Sequence, residues 1–598
     1  MKSCRNILPN LALLIGIALC AGTAEATTYN LNGRVDIDRD YVNPDYVGHV
    51  GKTESTVVRQ RDHDVDVLSN NNQFGASGTV AAYLLESGRM TIPDARYYQY
   101  YGDYTLFRQT GGGYTNIYSF TRRTGQVTDD TIRSDFIFGG NASALIAIGN
   151  DPGFCADSVI AVIGSAHVYA NSINRSGDTA NFRHMIAVND GGRIDASVGN
   201  GNSRLYVPFN GGTYHGRSSG LYMFGQNSGS SGAAPTWIRV YEAGGCIVHS
   251  NDVVSDNRYF APPPVCDPVG NVVLSIDLPD SVKNNNGAGW DFVPAVVIKD
   301  ETTAGSNAVA VADYDFDSRT ITNITIICRG ENYSGMPGDV TAELRYKATG
   351  NALATMNCTV GPCKSGPFTW AGGGQGAIQI QYATHTYSGP TVIDMDRYDE
   401  ADHRDHTGEQ YPDYRRSIVT YSNRSGYILN STSIVIRSGL IWAGISLNTT
   451  FPSATRLELY GGHLGNNGGT FTNVVVGGET WLRGFSGGGA ISVTVPTDGT
   501  LEVDYGAVVT NGVIVLPKLK YGTVTLNSGV KIKAKGWEKL PRGKKVPILD
   551  LSGVTTFTTK ANATLVQGDE GDIFWGEGDD ANILYARRRT DGYFMIFK

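Results

Sequence analysis

The sequence has little charge and no basic excess. Of 598 residues only 18% are charged, and 57 acidic side chains against 49 basic ones give a net charge of −8. A chain of this sign offers no global positive surface to the phosphate backbone of a nucleic acid. We therefore expect no nucleic-acid partner.

Long apolar runs are absent beyond the N-terminus. Residues 7–21 form an apolar stretch behind Lys2 and Arg5, and Ala24-Glu-Ala26 follows it as a small-x-small cleavage site. The stretch is shorter than the ~20 residues that span a bilayer, and it has the pattern of a Sec signal peptide. We predict that residues 1–26 are a signal peptide, that the protein is exported to the cell surface or the extracellular space, and that the mature chain has no transmembrane helix.

Cysteines are few: eight in all, of which six remain after residues 1–26 are removed. An exported chain is in surroundings that permit disulfides. Cys358 and Cys363 enclose only Thr-Val-Gly-Pro, a sequence that favours a turn. We therefore predict a local disulfide between them, with two separate buried thiols as the alternative.

Sustained helical periodicity is nearly absent, whereas glycine is abundant, at 75 residues. Residues 186–194, 205–214 and 238–247 share one frame, in which alternating apolar positions lead into Gly-Gly and a second short strand pattern. Residues 457–464 and 474–480 repeat the frame in shortened form. The alternation predicts short, half-buried strands, and the glycines permit the positive φ of a sharp corner.

The repetition of this frame predicts an all-β, elongated parallel β-helix (β-solenoid), in which each coil covers the open edge of its neighbour. A β-sandwich is the alternative. We predict solenoid regions at residues 27–259 and 367–598. Between them, the proline-rich residues 260–268 indicate an extended linker, and four alternating strand patterns within residues 269–366 indicate a small inserted β module.

Part of the chain resembles a known family. Residues 366–393, which end in Thr-Tyr-Ser-Gly-Pro-Thr-Val-Ile, resemble the autotransporter-associated β-strand repeat, with Ser388 in place of its second Thr. Residues 432–439 resemble the family's next coil, and residues 321–340 resemble a Gly-x-Gly-Tyr-x-x-x-Pro β repeat of large exported bacterial proteins. The resemblance implies a secreted or surface-displayed passenger-like β-helix, usually without a catalytic residue. The chain departs from that family because its last hundred residues lack a recognisable C-terminal barrel pattern, so we expect a separate route to the surface.

One acidic, histidine-containing segment is a candidate metal site. Its carboxylates could hold Ca²⁺, and its histidines could join a transition-metal site. The candidate ligands are Asp394, Asp396, Asp399, Asp402, His403 and His406. Because no fixed ligand spacing accompanies them, we interpret the segment as a solvated loop between coils, without a cofactor, and keep Ca²⁺ as the alternative.

Three Asp-x-Asp-x-Asp ladders occur, at residues 36–40, 62–66 and 313–317. The third is not an EF-hand, because Ser318 and Ile324 stand where that loop needs Gly and Glu. In the first two, strand alternation would place the aspartates on one solvent-facing side.

No motif assigns a catalytic residue. Residues 484–488 match Gly-x-Ser-x-Gly around Ser486, but a strand pattern follows where a hydrolase elbow needs a helix. A tyrosine cluster at residues 97–104 could stack on sugar faces. We therefore expect a non-catalytic, structural or adhesive surface protein whose partners are extracellular glycans or proteins. A carbohydrate-active β-helix enzyme or a glycan-binding protein is the alternative.

The first prediction concerns processing. We expect the mature protein to begin at Thr27, because Ala24 and Ala26 supply the two small residues that signal peptidase requires. Intact-mass analysis of the exported protein measures this directly. A mass that includes residues 1–26, or a lipid on Cys20, would contradict it.

Overall fold

The computed structural model describes most of the chain between residues 27 and 590. The described residues are 27–43, 45–67, 73–76, 78–92, 99–100, 102–111, 114–120, 132–148, 158–175, 184–201, 205–217, 236–251, 259–260, 262–301, 305–374, 377–380, 383–395, 417–420, 427–443, 446–465, 468–483, 491–558, 561, 563–567 and 570–590.

Short strands make up nearly all the regular structure of these residues. The strands that precede the module are β1 (Thr27–Leu31), β2 (Arg34–Ile37), β3 (Asp45–Val50), β4 (Thr56–Gln60), β5 (Val65–Asp66), β6 (Gln73–Phe74), β7 (Val80–Leu85), β8 (Arg89–Ile92), β9 (Gln99–Tyr100), β10 (Tyr104–Gln109), β11 (Tyr114–Phe120), β12 (Arg133–Phe138), β13 (Ser143–Ile148), β14 (Ser158–Ile163), β15 (His167–Arg175), β16 (His184–Asn189), β17 (Arg193–Gly201), β18 (Leu205–Asn210), β19 (Thr213–Arg217), β20 (Thr236–Val240), β21 (Gly245–Asn251), β22 (Tyr259–Phe260) and β23 (Val265–Cys266).

The module carries six strands and a single helical turn, α1 (Asp280–Lys283), which runs into a 3-10 turn (Asn285–Gly287). Its strands are β24 (Asn271–Ile276), β25 (Ala295–Asp300), β26 (Ser306–Asp315), β27 (Thr320–Glu331), β28 (Val340–Arg345) and β29 (Ala354–Pro362).

The strands resume after the module, with a second helical turn, α2 (Leu447–Thr450), and 3-10 turns at Trp537–Lys539 and Gly578–Asp580. Among the helices of the described residues, none has the length and hydrophobicity of a membrane span. The strands are β30 (Phe368–Gly374), β31 (Ala377–Gln379), β32 (Thr384–His385), β33 (Thr391–Asp394), β34 (Ser417–Thr420), β35 (Tyr427–Ile428), β36 (Ser433–Ser438), β37 (Leu440–Ala443), β38 (Arg456–Leu459), β39 (His463–Gly465), β40 (Gly469–Thr470), β41 (Asn473–Val476), β42 (Glu479–Leu482), β43 (Ser492–Val495), β44 (Thr500–Asp504), β45 (Val509–Thr510), β46 (Val513–Ile514), β47 (Lys518–Lys520), β48 (Thr523–Leu526), β49 (Lys531–Lys535), β50 (Lys545–Asp550), β51 (Thr556–Thr558), β52 (Thr564–Leu565), β53 (Gly571–Trp575) and β54 (Ile583–Arg588).

Three long sheets form the walls of a solenoid, and each coil contributes one strand, or rung, to a wall. The long sheet runs β5-β8-β11-β13-β15-β17-β19-β21-β30-β33-β36-β38-β41-β44-β49-β52, and the N-terminal sheet runs β2-β4-β7-β10-β12-β14-β16-β18-β20-β23. The C-terminal sheet runs β22-β31-β34-β37-β39-β42-β47-β50-β54-β53, and two four-stranded sheets run β1-β3-β6-β9 and β40-β43-β48-β51. The rungs of the long and N-terminal sheets pair in parallel. The prediction of an all-β parallel β-solenoid is confirmed.

The Gly-Gly steps form corners between walls, as predicted. Between β16 and β17 the corner glycine Gly191 has φ 95°, in the left-handed region that favours glycine. At its neighbour Gly192, a Cβ atom would lie 2.3 Å from the carbonyl oxygen of Val162 on the coil before. The second glycine is therefore required by the close approach of successive coils.

Inward side chains of successive rungs stack on one another to form the core. In the long sheet, Leu457, Val474, Leu501 and Ile532 occupy one register row, and each is at most 1% exposed. Each apolar side chain therefore packs on the equivalent side chain of the coils before and after it, so burial and strand pairing depend on the same register.

An antiparallel module interrupts this array between neighbouring rungs. β21 pairs directly with β30, in the register Gly245↔Phe368, so the chain leaves the long sheet and rejoins it one rung later. The module strands form a sheet in the order β24-β29-β28-β25-β26-β27. Within the segment predicted to be a linker, β23 is the last rung of the N-terminal sheet, with Val265 buried in the solenoid core.

The module packs against the outward face of the N-terminal sheet. Outward side chains of successive rungs, such as Val80, Leu106 and Ile137, share one buried cluster with Val296 and Ala310 of the module. Strands of the N-terminal sheet are therefore buried on both faces, which corrects the sequence-based expectation of half-buried strands. The physical reason is that the module's sheet covers them, and outward side chains such as Val80, Leu106 and Ile137 are apolar.

Ion pairs join the module to this sheet. Arg59 is bonded both to Asp36 of the preceding rung and, at 2.7 Å, to Asp317 of the module. Arg108 pairs with Asp313 of the module. In the first aspartate ladder, the Asp36 side chain is 47% exposed. The third ladder, at residues 313–317, belongs to the contact between module and solenoid and is not a free acidic surface.

A buried arginine makes the deepest polar contact between module and solenoid. Arg133 Nε lies 2.8 Å from Asp135 Oδ1, and its terminal nitrogens donate to the carbonyl oxygens of Val296 and Ala310. Tyr104 donates to the same carboxylate at 2.8 Å. Burial raises the pKa of Asp135, although Arg133 opposes the shift. The arginine therefore neutralises a buried carboxylate and satisfies backbone acceptors of the module.

The predicted disulfide is not formed. Cys358 and Cys363 are separate buried thiols, and burial raises the pKa of each, to about 12 and about 11. The Thr-Val-Gly-Pro sequence between them continues β29 and makes no turn. Five residues of extended chain span roughly 16 Å, far beyond the ~4.4–6.8 Å between the Cα atoms of a disulfide.

His385 lies where the N-terminal sheet ends. Its Nδ1 accepts a hydrogen bond from the backbone nitrogen of Val265 at 3.1 Å, and its ring centroid lies 5.2 Å from that of Trp370. The side chain is fully buried, and this desolvation lowers its pKa to about 3. The ring therefore continues the hydrogen bonding of the sheet only while it is neutral.

The second prediction concerns the module contact. We expect Arg133→Ala to lower the free energy of unfolding by about 3–5 kcal/mol, because it leaves a buried carboxylate without its cation. The double variant Arg133→Met/Asp135→Leu should recover most of this loss, since apolar side chains then fill the site. Urea denaturation followed by tryptophan fluorescence measures both. Equal losses in the two variants would contradict the assigned role.

The third prediction concerns acid stability. His385 has a pKa of about 3 in the folded chain against an ordinary value of 6.5. Between pH 3 and pH 6.5 the imidazole is therefore protonated in the unfolded chain but neutral in the folded one. Stability therefore falls as the pH drops through this window. We expect His385→Gln to remove up to about 1.4 kcal/mol per pH unit of that slope. Urea midpoints at pH 7, 6, 5 and 4 test this, and parallel curves for the two proteins would contradict it.

Candidate functional site

The predicted metal ligands are only partly within the described residues. Asp394 ends β33, is half-buried and accepts a hydrogen bond from Ser438 Oγ at 2.8 Å. Outside the described residues lie Asp396, Asp399, Asp402, His403 and His406. Among the residues that are described, no group of three or more His, Cys, Asp or Glu side chains is arranged to hold a metal ion. The metal alternative for the acidic segment stays a prediction.

Two other sequence candidates have separate outcomes. Ser486, in the Gly-x-Ser-x-Gly match, lies outside the described residues. In the tyrosine cluster, Tyr104 is fully buried and bonded to Asp135, so its ring is closed to a ligand.

An aromatic row lies on the outward face of the C-terminal sheet. Its members are His463 on β39, Trp481 on β42 and Tyr521 directly after β47, and these three strands are consecutive rungs. The ring centroids of His463 and Trp481 are 5.0 Å apart, and those of Trp481 and Tyr521 are 5.4 Å apart. Tyr521 is 40% exposed, and the other two side chains are half-buried. The row therefore presents aromatic surface along the solenoid axis.

Local sequence places these rings outward. Leu464 and Leu482 point into the core, so strand alternation turns the preceding His463 and Trp481 to the outer face. Tyr521 has φ 58° and is followed by Gly522 with φ 63°. This left-handed turn at the end of β47 accompanies the contact between the Tyr521 and Trp481 rings.

Charged groups surround the aromatic row. Lys520 Nζ lies 5.2 Å from the Trp481 ring centroid, and the Arg483 guanidinium lies 5.0 Å from that of Tyr521, both within cation–π range. Glu479 accepts hydrogen bonds from Trp481 Nε1, at 3.1 Å, and from Lys520. Burial alone would raise the pKa of Glu479, but these bonds lower it. The carboxylate is therefore ionised at neutral pH.

His463 adds an uncharged ring to the row. Burial and the nearby Arg483 lower its pKa to about 4. At neutral pH the row therefore combines the apolar surface of the rings with a positively charged group, Lys520, and a negatively charged group, Glu479, beside them. This combination is found in many ligand sites.

A carboxylate cluster lies on the outward face of the long sheet. Arg456 Nε is 2.6 Å from Glu458, and the arginine also approaches Glu502 at 3.9 Å. Lys535 Nζ is 2.5 Å from Glu502, and Tyr460 donates to Glu458 at 2.9 Å. β41 lies between the two strands that carry the glutamates. Acidic side chains thus come from alternate rungs, but each has a cationic partner, so neither glutamate is free for general acid–base work.

Sequence reasoning located the corners but missed the aromatic row. His463 is the first residue after one Gly-Gly corner, and Trp481 is the third residue after the next. Both offsets are odd, so alternation assigns the two rings to the same face. Aligning the repeated frames on their glycines would have shown this, but the register that makes them neighbours is set by the fold.

No family model, curated protein or solved structure matches the chain. The candidate site therefore stands on its geometry.

Proposed function

We propose that the protein is an exported, surface-displayed or secreted adhesive β-solenoid that binds extracellular glycan through the aromatic row. The observation that carries the proposal is the alignment of His463, Trp481 and Tyr521 on successive rungs of an outward face. Aromatic rings offer an apolar face to the C–H surface of a sugar. Neighbouring charged groups, such as Glu479, supply partners for hydroxyl groups.

The repeat of the solenoid favours an extended ligand. Parallel rungs lie about 4.8 Å apart, so the row offers one ring per coil along the axis. A polymer that lies along this face meets the rings in succession, and each contact adds to the affinity.

Export and display draw support from the predicted signal peptide and from the family resemblance. The residues that resemble the autotransporter-associated repeat include β30, β33 and β36, which are consecutive rungs of the long sheet. This parallel array supports the passenger-like surface protein that the resemblance implies.

A carbohydrate-active enzyme is the second candidate, favoured by Glu458 and Glu502 on one outward face. Their bonds to Arg456 and Lys535 weigh against it. Incubation with the polysaccharides that bind, followed by a reducing-end assay, separates the two functions: we expect binding without release of reducing ends.

The fourth prediction tests the row. In calorimetric titrations of the mature protein with cello-, xylo- and galacturono-oligosaccharides, we expect binding to at least one of them. Trp481→Ala should weaken that binding about tenfold or more, because a ring that covers the sugar is lost. Tyr521→Ala should weaken it less.

Tyr169→Ala is the matched control, because Tyr169 is 38% exposed and lies on a different wall. We expect the control to bind as the unaltered protein does, with all variants retaining its melting temperature. The same loss in Tyr169→Ala, or no binding to any member of the panel, would contradict the proposed function.

A further inference from the structure

One carboxylate oxygen beside the aromatic row has no partner in the described part of the protein. Glu479 alternates on β42 with buried residues, as Trp481 does, so both side chains lie on the outward face. Glu479 Oε1 accepts hydrogen bonds from Trp481 Nε1, at 3.1 Å, and from Lys520 Nζ. Within the described residues Oε2 has neither a hydrogen bond nor an ion pair, and solvent reaches it. One oxygen therefore orients the indole, and the other stays available.

Glu479 differs in this respect from a glutamate of the carboxylate cluster. Glu458 uses both of its oxygens, since Oε1 pairs with Arg456 and Oε2 accepts a hydrogen bond from Tyr460. The Glu479 side chain is 39% exposed, against 17% for Glu458. Hydrogen bonds to an ionised acceptor are stronger than those to a neutral one. Glu479 therefore offers an accessible, charged acceptor next to an aromatic ring.

Register places this acceptor at the edge of the aromatic row. Glu479, Lys518 and Asp550 are register partners on consecutive rungs of the C-terminal sheet. Lys518 Nζ lies 2.7 Å from Asp550 Oδ2, and the two side chains are 26% and 10% exposed, so both are less open to a ligand than Glu479. Alternate residues of a strand are about 6.6 Å apart. A sugar that covers the Trp481 ring therefore has Glu479 at its edge.

A free hydroxyl group is the sugar group that fits this oxygen. An ionised carboxylate only accepts hydrogen bonds, so the ligand must supply the donor. The acid group of a uronate is itself ionised at neutral pH and has no hydrogen to donate. A sugar oxygen that carries a methyl or acyl group has none either. A free hydroxyl donates one hydrogen bond and brings no charge to be repelled by Glu479.

We propose that Glu479 is a specificity-determining residue, whose Oε2 accepts a hydrogen bond from a hydroxyl of the sugar that covers Trp481. This inference rests on the proposed glycan-binding function and adds a ligand class, a glycan with a free hydroxyl at this position. Trp481 supplies the apolar contact, and Glu479 distinguishes sugars that present the hydroxyl from sugars that do not. A site that bonds a hydroxyl rejects the analogue without it far more strongly than an apolar site does.

The fifth prediction tests Glu479 in calorimetric titrations of the mature protein. The probe is the cello-, xylo- or galacturono-oligosaccharide that the unaltered protein binds most tightly. We expect Glu479→Gln to weaken this binding about fivefold, because a neutral amide oxygen replaces the charged acceptor. The amide oxygen can still accept the hydrogen bond from Trp481 Nε1, so the melting temperature should stay unchanged.

Deoxy analogues of the same oligosaccharide, each lacking one kind of hydroxyl in every sugar unit, give a readout that a structural role would not change. We expect one analogue to bind the unaltered protein about fivefold more weakly than the parent sugar. Glu479→Gln should bind that analogue and the parent about equally, because both partners of one hydrogen bond are then compared. If Glu479 only held the Trp481 ring, the variant would weaken the parent and every analogue by the same factor, which would contradict the inference.

The matched control is Glu86→Gln. The Glu86 side chain is 34% exposed and paired with Arg61, much as Glu479 is with Lys520, but it follows β7 of the N-terminal sheet. The control removes the same charge away from the aromatic row, so it should bind the probe as the unaltered protein does. An equal loss in Glu86→Gln would mean that net charge sets the affinity, and would contradict the role of Glu479.

The outcomes separate this inference from the proposed function. If Trp481→Ala weakens binding and Glu479→Gln does not, the aromatic row binds glycan and the hydroxyl assignment is wrong. The hydroxyl assignment is also wrong if every deoxy analogue binds the unaltered protein as tightly as the parent sugar. If no oligosaccharide of the panel binds, both proposals fail.

Discussion

Parallel pairing between rungs is the constraint on which the rest of this structure depends. Each strand of a solenoid wall leaves its backbone groups unsatisfied unless the coils before and after it lie in register. The same register stacks Leu457, Val474 and Leu501 in the core, so backbone bonding and apolar burial reinforce each other. Pairing and packing together use the backbone and the inward side chains, and only the outward faces remain for function.

The outward faces of the three walls differ. The module covers the N-terminal sheet, with Arg133 neutralising a buried carboxylate at the contact. The long sheet carries ion-paired carboxylates such as Glu458, and the C-terminal sheet carries the aromatic row. The aromatic row proposed for ligand binding therefore lies on a different sheet from the one that the described part of the module covers.

The sequence sufficed for features that depend on local chemistry. Alternation predicted strands, and the Gly-Gly steps, such as that at Gly191, predicted corners, because positive φ is a property of a single residue. Features that depend on long-range pairing were missed. Asp313 was interpreted without its partner Arg108, and Trp481 without the rings beside it. Cys358 was assigned to a turn because β24, which pairs with β29 at this residue, is distant in sequence.

Hydroxyl-radical footprinting of the mature protein, with and without a bound polysaccharide, tests the assigned binding face most directly. We expect ligand to lower the oxidation of Trp481 and Tyr521, on the C-terminal sheet, and to leave that of Tyr169, which is exposed to about the same extent as Tyr521, unchanged. Protection confined to the module or to Tyr169, or equal oxidation with and without ligand, would contradict a glycan site on this face.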